Sequence, residues 1–216
     1  MIDTELLRRE ADQPSEALRC DLQSVVDDLA AAFEDDVVFD WLLRADRHRD
    51  SGRRGFFSAL IRHVAFGIAR IDRPVSGGGA AVWLPADAVS PVSIFKEIQV
   101  APAMIRATGW SRIPRLLALQ AAISRHHPEG REHAYLWFLG VRPEAQGLGV
   151  GSRLLRAASR RLDATGMAAY LETQTERNVA LYRRHGFEVV SVFRARHDAP
   201  PQWGMWREPR TGSDCY

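Results

Sequence analysis

The stretch HAYLWFLGVRPEAQGLGVGSRLL, residues 133–155, decides the fold. Its first nine residues form a near-continuous apolar and aromatic run, as expected of a central strand covered on both faces. Pro143 ends the run, since proline offers no ladder donor. Three glycines then stand at alternate positions, Gly147, Gly149 and Gly151. Beyond them Val150, Leu154, Leu155, Ala158 and Leu162 repeat at helical spacing. Glycine loses more backbone freedom on folding than any other residue, so such a cluster marks a close approach of backbone to something. A strand, a glycine turn and a helix in that order present unpaired N–H groups at a helix N-terminus, a site for phosphate.

The same alternation continues downstream. MAAYLET (167–173) reads as a second buried strand, and RNVALYRRHGF (177–187) as a short helix closed by Gly186 in a left-handed cap. EVVSVFRA and PQWGMWR read as the last two strands, with a frayed tail from Pro209. Upstream, EALRC (16–20) reads as a first strand, after which Asp21 caps a helix through LQSVVDDLAAAF. VVFDWLLR (37–44) and RRGFFSALIRHVAF (53–66) read as two more helices. IARIDRP and AAVWLP form a hairpin turned by Gly77 to Gly79. Two helices, at 92–107 and 111–126, follow, with Pro102 and Pro114 as punctuation. Strands alternating with helices after residue 132 predict an α/β or α+β sheet with helices on its faces.

Composition bounds the function. The chain has 216 residues, 46% hydrophobic and 26% charged, which suits one globular domain with a core of its own. A net charge of +2 gives no case for nucleic acid. Cys20 and Cys215 are the only cysteines, so neither a disulfide framework nor a metal spacing is suggested, and a reducing cytoplasm is expected. The opening residues MIDTELLRREADQPSE are charged throughout, unlike a signal peptide, and no apolar run reaches membrane-spanning length.

Two phosphate motifs fail against the glycine loop. The Walker pattern needs Gly-Lys-Ser/Thr, whereas Gly151 is followed by Ser152 and Arg153. The dinucleotide pattern needs G-x-G-x-x-G, whereas this loop runs G-x-G-x-G. VRPEAQGLGVG instead resembles the acyl-CoA pyrophosphate loop of the GNAT superfamily of N-acetyltransferases, with Gln146, Gly149 and Gly151 at its fixed positions. LETQTERN, LYRRHGF and WGMWR resemble its second half, most similar to the puromycin N-acetyltransferase-like branch. The resemblance implies a single N-acetyltransferase domain over 1–208, a tail over 209–216, and acetyl-CoA as cosubstrate. It also implies a mixed sheet of six to seven strands, splayed after the fourth, with helices on both faces. A helical insertion over 86–130 would separate the third and fourth strands.

The resemblance also implies site roles. Backbone N–H groups of Gln146, Gly147, Leu148, Gly149, Val150, Gly151 and Ser152 would hold the pyrophosphate. Leu139, Gly140 and Val141 would line the pantetheine arm, with the Val141 N–H polarising the acetyl carbonyl. Tyr182 matches the general acid toward the leaving thiolate, its plain alternative being an aromatic packed on the sheet. Asn178 either contacts the pantetheine or caps its helix. Glu172 is either the base for the incoming ammonium or an ion-pair partner of an arginine. Arg153, Arg156 and Arg160 form a stripe, either a solvated face or, for one of them, a contact to the 3′-phosphate. His126, His127 and His133 lack acidic or thiol partners and read as surface residues, with no metal expected.

Phe39, Trp41, Phe56, Trp83, Phe95, Met104, Trp110 and Trp137 are candidates for an apolar wall over the thioester. No acidic cluster singles out a polycation, so a small amine on an apolar body is expected, without nucleic acid or membrane as partner. The assembly is expected to be a monomer or homodimer. Acetylation of a peptide or protein, or acyl-CoA binding without catalysis, are the alternatives.

Overall fold

A computed structural model of the protein describes residues 3–89 and 94–210, without the side chains of residues 87, 89 and 94–98. Its strands are β1 (Ser15–Glu16), β2 (Arg70–Arg73), β3 (Gly79–Pro85), β4 (His133–Val141), β5 (Ala168–Thr173), β6 (Glu188–Arg194) and β7 (Pro201–Arg207). They form one mixed sheet in the order β1-β2-β3-β4-β5-β7-β6. Only β4 and β5 run parallel; every other pair is antiparallel. The α-helices are α1 (Thr4–Asp12), α2 (Leu22–Ala32), α3 (Val37–Leu42), α4 (Arg49–Ala59), α5 (Ile94–Thr108), α6 (Ile113–His126), α7 (Val150–Ala164) and α8 (Glu176–Arg183). The helices α5 and α6 stand between β3 and β4, where a hairpin would otherwise turn.

Two apolar clusters cover the two faces of the sheet. One takes Leu29 of α2, Phe39 of α3, Phe57 of α4 and Met104 of α5. The other takes Leu7 of α1, Leu154 and Leu155 of α7, and Tyr182 of α8. The helical repeat in α7 is what docks it: Val150, Leu154, Leu155, Ala158 and Leu162 are its buried residues.

Three local readings change. The first strand is only Ser15–Glu16, and Asp21 accepts the Leu18 N–H of a 3₁₀ turn rather than capping α2. A helix precedes it: Asp3 caps α1 by accepting the Leu6 N–H, and Leu7 and Ala11 bury. The arginine stripe of α7 meets this helix, while Arg156 and Arg160 stay exposed to solvent as expected. Arg153 and Arg156 pair with the Asp12 carboxylate and Arg160 donates to the Asp12 carbonyl. The residues 211–216 of the tail, with Cys215, lie outside the described residues.

A bulge in β4 sets up the site. Val82 faces Phe138 while Trp83 faces Leu136, leaving Trp137 unopposed. One extra residue reverses which face each later side chain takes. Leu136 therefore packs on the α7 side, while Phe138 packs on the α2 side and Leu139 and Val141 return to the α7 side. Gly140 meets α2 directly. A Cβ there would lie 2.8 Å from Leu29 Cδ2 and 2.9 Å from Ala32 Cβ.

Candidate active site

The strands β4 and β5 pair only over His133–Leu136 and Ala168–Leu171. Beyond Leu136, β4 keeps β3 as its neighbour and, among the described residues, has no strand partner on its other edge. Ladder groups alternate in direction along an antiparallel pair. The Arg142 N–H donates to the Gly78 carbonyl, so Gly140 also turns its N–H and carbonyl toward β3. Leu139 and Val141 turn theirs toward the open edge. The Val141 carbonyl is taken by the Gln146 side-chain amide at 3.0 Å, and among the described residues the Leu139 and Val141 N–H groups meet no acceptor. Gln146 thus braces the loop against the strand end through its side chain.

The glycine loop continues from that edge. Gly147 and Gly149 have φ of +76° and +83°, a region that side chains disfavour. Gly149 stands at the N-cap of α7 without a side-chain cap. Among the described residues, no acceptor meets the backbone N–H groups from Gly147 to Ser152. A Cβ on Gly147 would touch nothing within 4 Å, and one on Gly149 only the Arg153 side chain at 3.9 Å. The side-chain space at Gly147 and Gly149 is open. Gly151 differs from the other two: its φ is ordinary, and an added Cβ would sit 3.5 Å from Val141 at normal contact. Two of the three glycines are thus required by backbone conformation and the third is not.

The opposite side of the gap is supplied by β5 and α8. Glu172 is the first β5 residue beyond the last β4 pair, Leu136 with Leu171, and lies opposite Gly204 of β7. The Tyr135 hydroxyl donates to Glu172 Oε2 at 2.6 Å, and Oε1 has no protein partner. Burial pushes the Glu172 carboxyl up to about 7, against the hydroxyls of Tyr135 and Tyr170, which favour the charged form. Among the described residues no arginine pairs with Glu172, which removes the ion-pair alternative. Tyr182, one turn after Asn178 on α8, is 7% exposed and lies edge-on to Phe187. Burial alone raises its phenol, so the neutral form persists at physiological pH. Thr175 caps α8 by accepting the Asn178 N–H, so Asn178 is not the cap and its side chain is released to the gap.

These groups share one cavity of about 220 Å³. Leu139, Glu172, Asn178 and Tyr182 line one part of it. Phe33, Phe39, Phe56, Met104 and Trp137 supply an aromatic and aliphatic wall, and Asp36 and Gln120 add polar atoms. Other expected wall residues lie elsewhere. Trp83 packs in the α7-side cluster because the bulge opposes it to Leu136. Trp41 borders a separate shallow depression near Asp198, and Trp110 is 77% exposed. The Phe95 side chain lies outside the described ones. Tyr135 and Asp36 were not legible as site residues. Tyr135 becomes one only through the pairing of β4 with β5, and Asp36 reads in sequence as a helix cap.

Of the three histidines, His133 is buried and His126 and His127 are half-buried. His133 is 2% exposed, and its Nε2 lies 3.1 Å from His127 Nε2. The His133 Nδ1–H donates to the Arg131 carbonyl, so the shared proton sits on His127 Nε2. Burial and the neighbouring His133 push His127 down to about 4, keeping both rings neutral. His126 stacks on Phe193.

Residues 115–187 match the acetyltransferase (GNAT) family. That segment carries β4, the glycine loop, Glu172 and Tyr182. Over that segment the chain is similar to the GNAT acetyltransferases. A 67-residue stretch of this chain, 30% of its length, is 41% identical to mycothiol acetyltransferase of Propionibacterium freudenreichii subsp. shermanii. The match covers 22% of that relative. Across 92% of this chain and 97% of the other, the fold matches a Corynebacterium glutamicum structure described as histone acetyltransferase and related acetyltransferase, at TM-score 0.68 and 25% identity. The C-terminal condensation domain of Ebony shares the fold alone, at TM-score 0.60 and 11% identity over 90% of this chain and 97% of that domain.

Proposed function

We propose that the protein transfers the acetyl group of acetyl-CoA to the primary amine of a small molecule, by direct attack within a ternary complex. The observation that carries this reading is the cavity at the β4–β5 gap, which Leu139, Glu172, Asn178 and Tyr182 line together. The loop fits the acyl donor's pyrophosphate: its N–H groups have no acceptor among the described residues and stand at the positive end of α7. The free Leu139 and Val141 amides fit a pantetheine arm laid along β4 as an extra strand. Acetyl-CoA, when bound, supplies an activated acetyl thioester.

Leu139 rather than Val141 lines the cavity, so the Leu139 N–H is assigned the carbonyl and the Val141 N–H a place further along the arm. Glu172, poised near neutrality with Oε1 unspent, takes the proton of the incoming ammonium. Tyr182, held neutral, donates its phenolic proton to the departing sulfur. The cavity size favours a small acceptor: an apolar cavity of about 150 Å³ holds benzene, so 220 Å³ admits one ring with a short arm. A cytoplasmic setting, where acetyl-CoA is made and used, goes with this reading.

The test is amine-dependent release of CoA thiol from acetyl-CoA, with a panel of small arylalkyl and alkyl amines beside a lysine-containing peptide. Release with small amines and not with the peptide supports the assignment. Release with the peptide alone transfers the protein to the peptide-acetylating class, and no release with any acceptor refutes catalysis.

A further inference from the structure

The cavity contains a second carboxylate that the transfer chemistry does not use. Asp36 stands at the N-cap of α3, lining the same space as Phe33, Val38, Phe39 and Phe56. Its Oδ1 does all of the capping, accepting the Val38 and Phe39 N–H groups at 2.9 and 3.1 Å. Among the described residues no side chain donates to Oδ2, and no arginine or histidine pairs with Asp36. Burial raises its carboxyl, opposed by the two α3 amides and reinforced by Asp40.

Capping does not explain the charge. A neutral side-chain oxygen from Ser or Asn caps a helix about as well. Asp36 is half-buried, and its second oxygen is open to a donor carried by a ligand in the aromatic-walled cavity, where a charge-assisted hydrogen bond is a strong one. Glu172 and Asp36 come from different walls, β5 on one side and the α2–α3 connection on the other. A ligand filling the cavity borders both walls.

We propose that Asp36 is a second anchor for the acceptor, selecting primary amines whose apolar body ends, away from the reacting nitrogen, in a hydrogen-bond donor such as a phenolic hydroxyl or a second ammonium. The inference rests on the acetyltransferase reading and narrows its substrate class. The aromatic wall holds the body, Glu172 faces the reacting amine, and Asp36 Oδ2 receives the distal donor.

The experiment compares kcat/KM for 2-phenylethylamine, its 4-hydroxy analogue tyramine and its 4-aminomethyl analogue, by CoA release. The wild-type protein is expected to favour at least one donor-bearing amine over 2-phenylethylamine by about 10- to 100-fold, mainly through KM. The larger of the two preferences identifies hydroxyl or ammonium as the natural donor. In Asp36→Asn, which keeps an oxygen for the cap, that ratio is expected to fall about 10-fold or more. Asp36→Ser, a second neutral cap, must give the same fall. A cap-only role would leave the ratio where it was while lowering the melting temperature, and this result overturns the proposal. Equal wild-type rates for all three amines also overturn it, leaving acetyl transfer standing. Release with none of them, nor with any other amine, overturns the acetyltransferase reading instead.

Discussion

Replacing Glu172 by glutamine separates a working base from a structural carboxylate, and its effect on stability can be worked out beforehand. Burial raises this carboxyl from an ordinary 4.5 to about 7. Each pKa unit corresponds to about 1.4 kcal/mol, so holding Glu172 ionised in the folded state opposes folding by roughly 3 kcal/mol. Between about pH 4.5 and pH 7 the unfolded chain releases this proton while the folded chain keeps it. The unfolded state then binds fewer protons, so stability falls as pH rises through that window and is level above it. Glutamine still offers an oxygen to the Tyr135 hydroxyl and cannot ionise. The stability of Glu172→Gln relative to wild type should therefore improve by roughly 3 kcal/mol from pH 4.5 to pH 8. Urea unfolding at several pH values reads it directly. Transfer should fall by about 10²- to 10⁴-fold, and the wild-type kcat/KM should rise with pH through a limb near 7. A stability difference that stays constant with pH, with an unshifted rate limb in the variant, would refute both the perturbed carboxyl and its role.

Other substitutions probe the remaining parts. Tyr182→Phe should lower turnover by about 10- to 10³-fold with acetyl-CoA affinity little changed by calorimetry; undiminished turnover removes the phenol from the mechanism. Gly149→Ala forces a side chain into positive φ and should cost about 1–2 kcal/mol and weaken acetyl-CoA binding, whereas Gly151→Ala, at normal contact distance, should do neither. Equal losses in the two variants, measured by thermal unfolding and calorimetry, contradict the division drawn between these glycines. Gly140→Ala drives a methyl against Leu29 and Ala32 and should destabilise by about 1–3 kcal/mol through overpacking. A neutral change in urea midpoint would mean that α2 does not sit on β4 as described.

Long-period patterns were legible in the sequence, and pairwise geometry was not. The helical repeat of α7, the hairpin glycines and the run 133–141 each announced their element. That same run concealed the bulge: a strand apolar on both faces carries no alternation to break, so the extra residue at Trp137 leaves no trace. The exchange of faces it causes sends Trp83 to the α7 side. Helix α1 escaped because seven of its nine residues are polar or charged or carry their apolar part to the surface, leaving Leu7 and Ala11 as its buried anchors. Its charge complementarity to the Arg153 stripe links residues 141 positions apart, which no local spacing reveals. Tyr135 and Glu172 present the same problem across 37 residues, solved only by the parallel register of β4 and β5. The burial of His133 follows from its place at the start of a central strand, where a polar side chain must find a partner and does so in His127.

The central claim is that the amides along the open edge of β4 and at the start of α7 hold an acyl-CoA. Calorimetric titration of the protein with acetyl-CoA, with ATP and NADPH as controls, tests it most directly. The account predicts selective binding by acetyl-CoA at a micromolar Kd, about −8 kcal/mol. Equal binding of all three ligands, or none with acetyl-CoA, would contradict it.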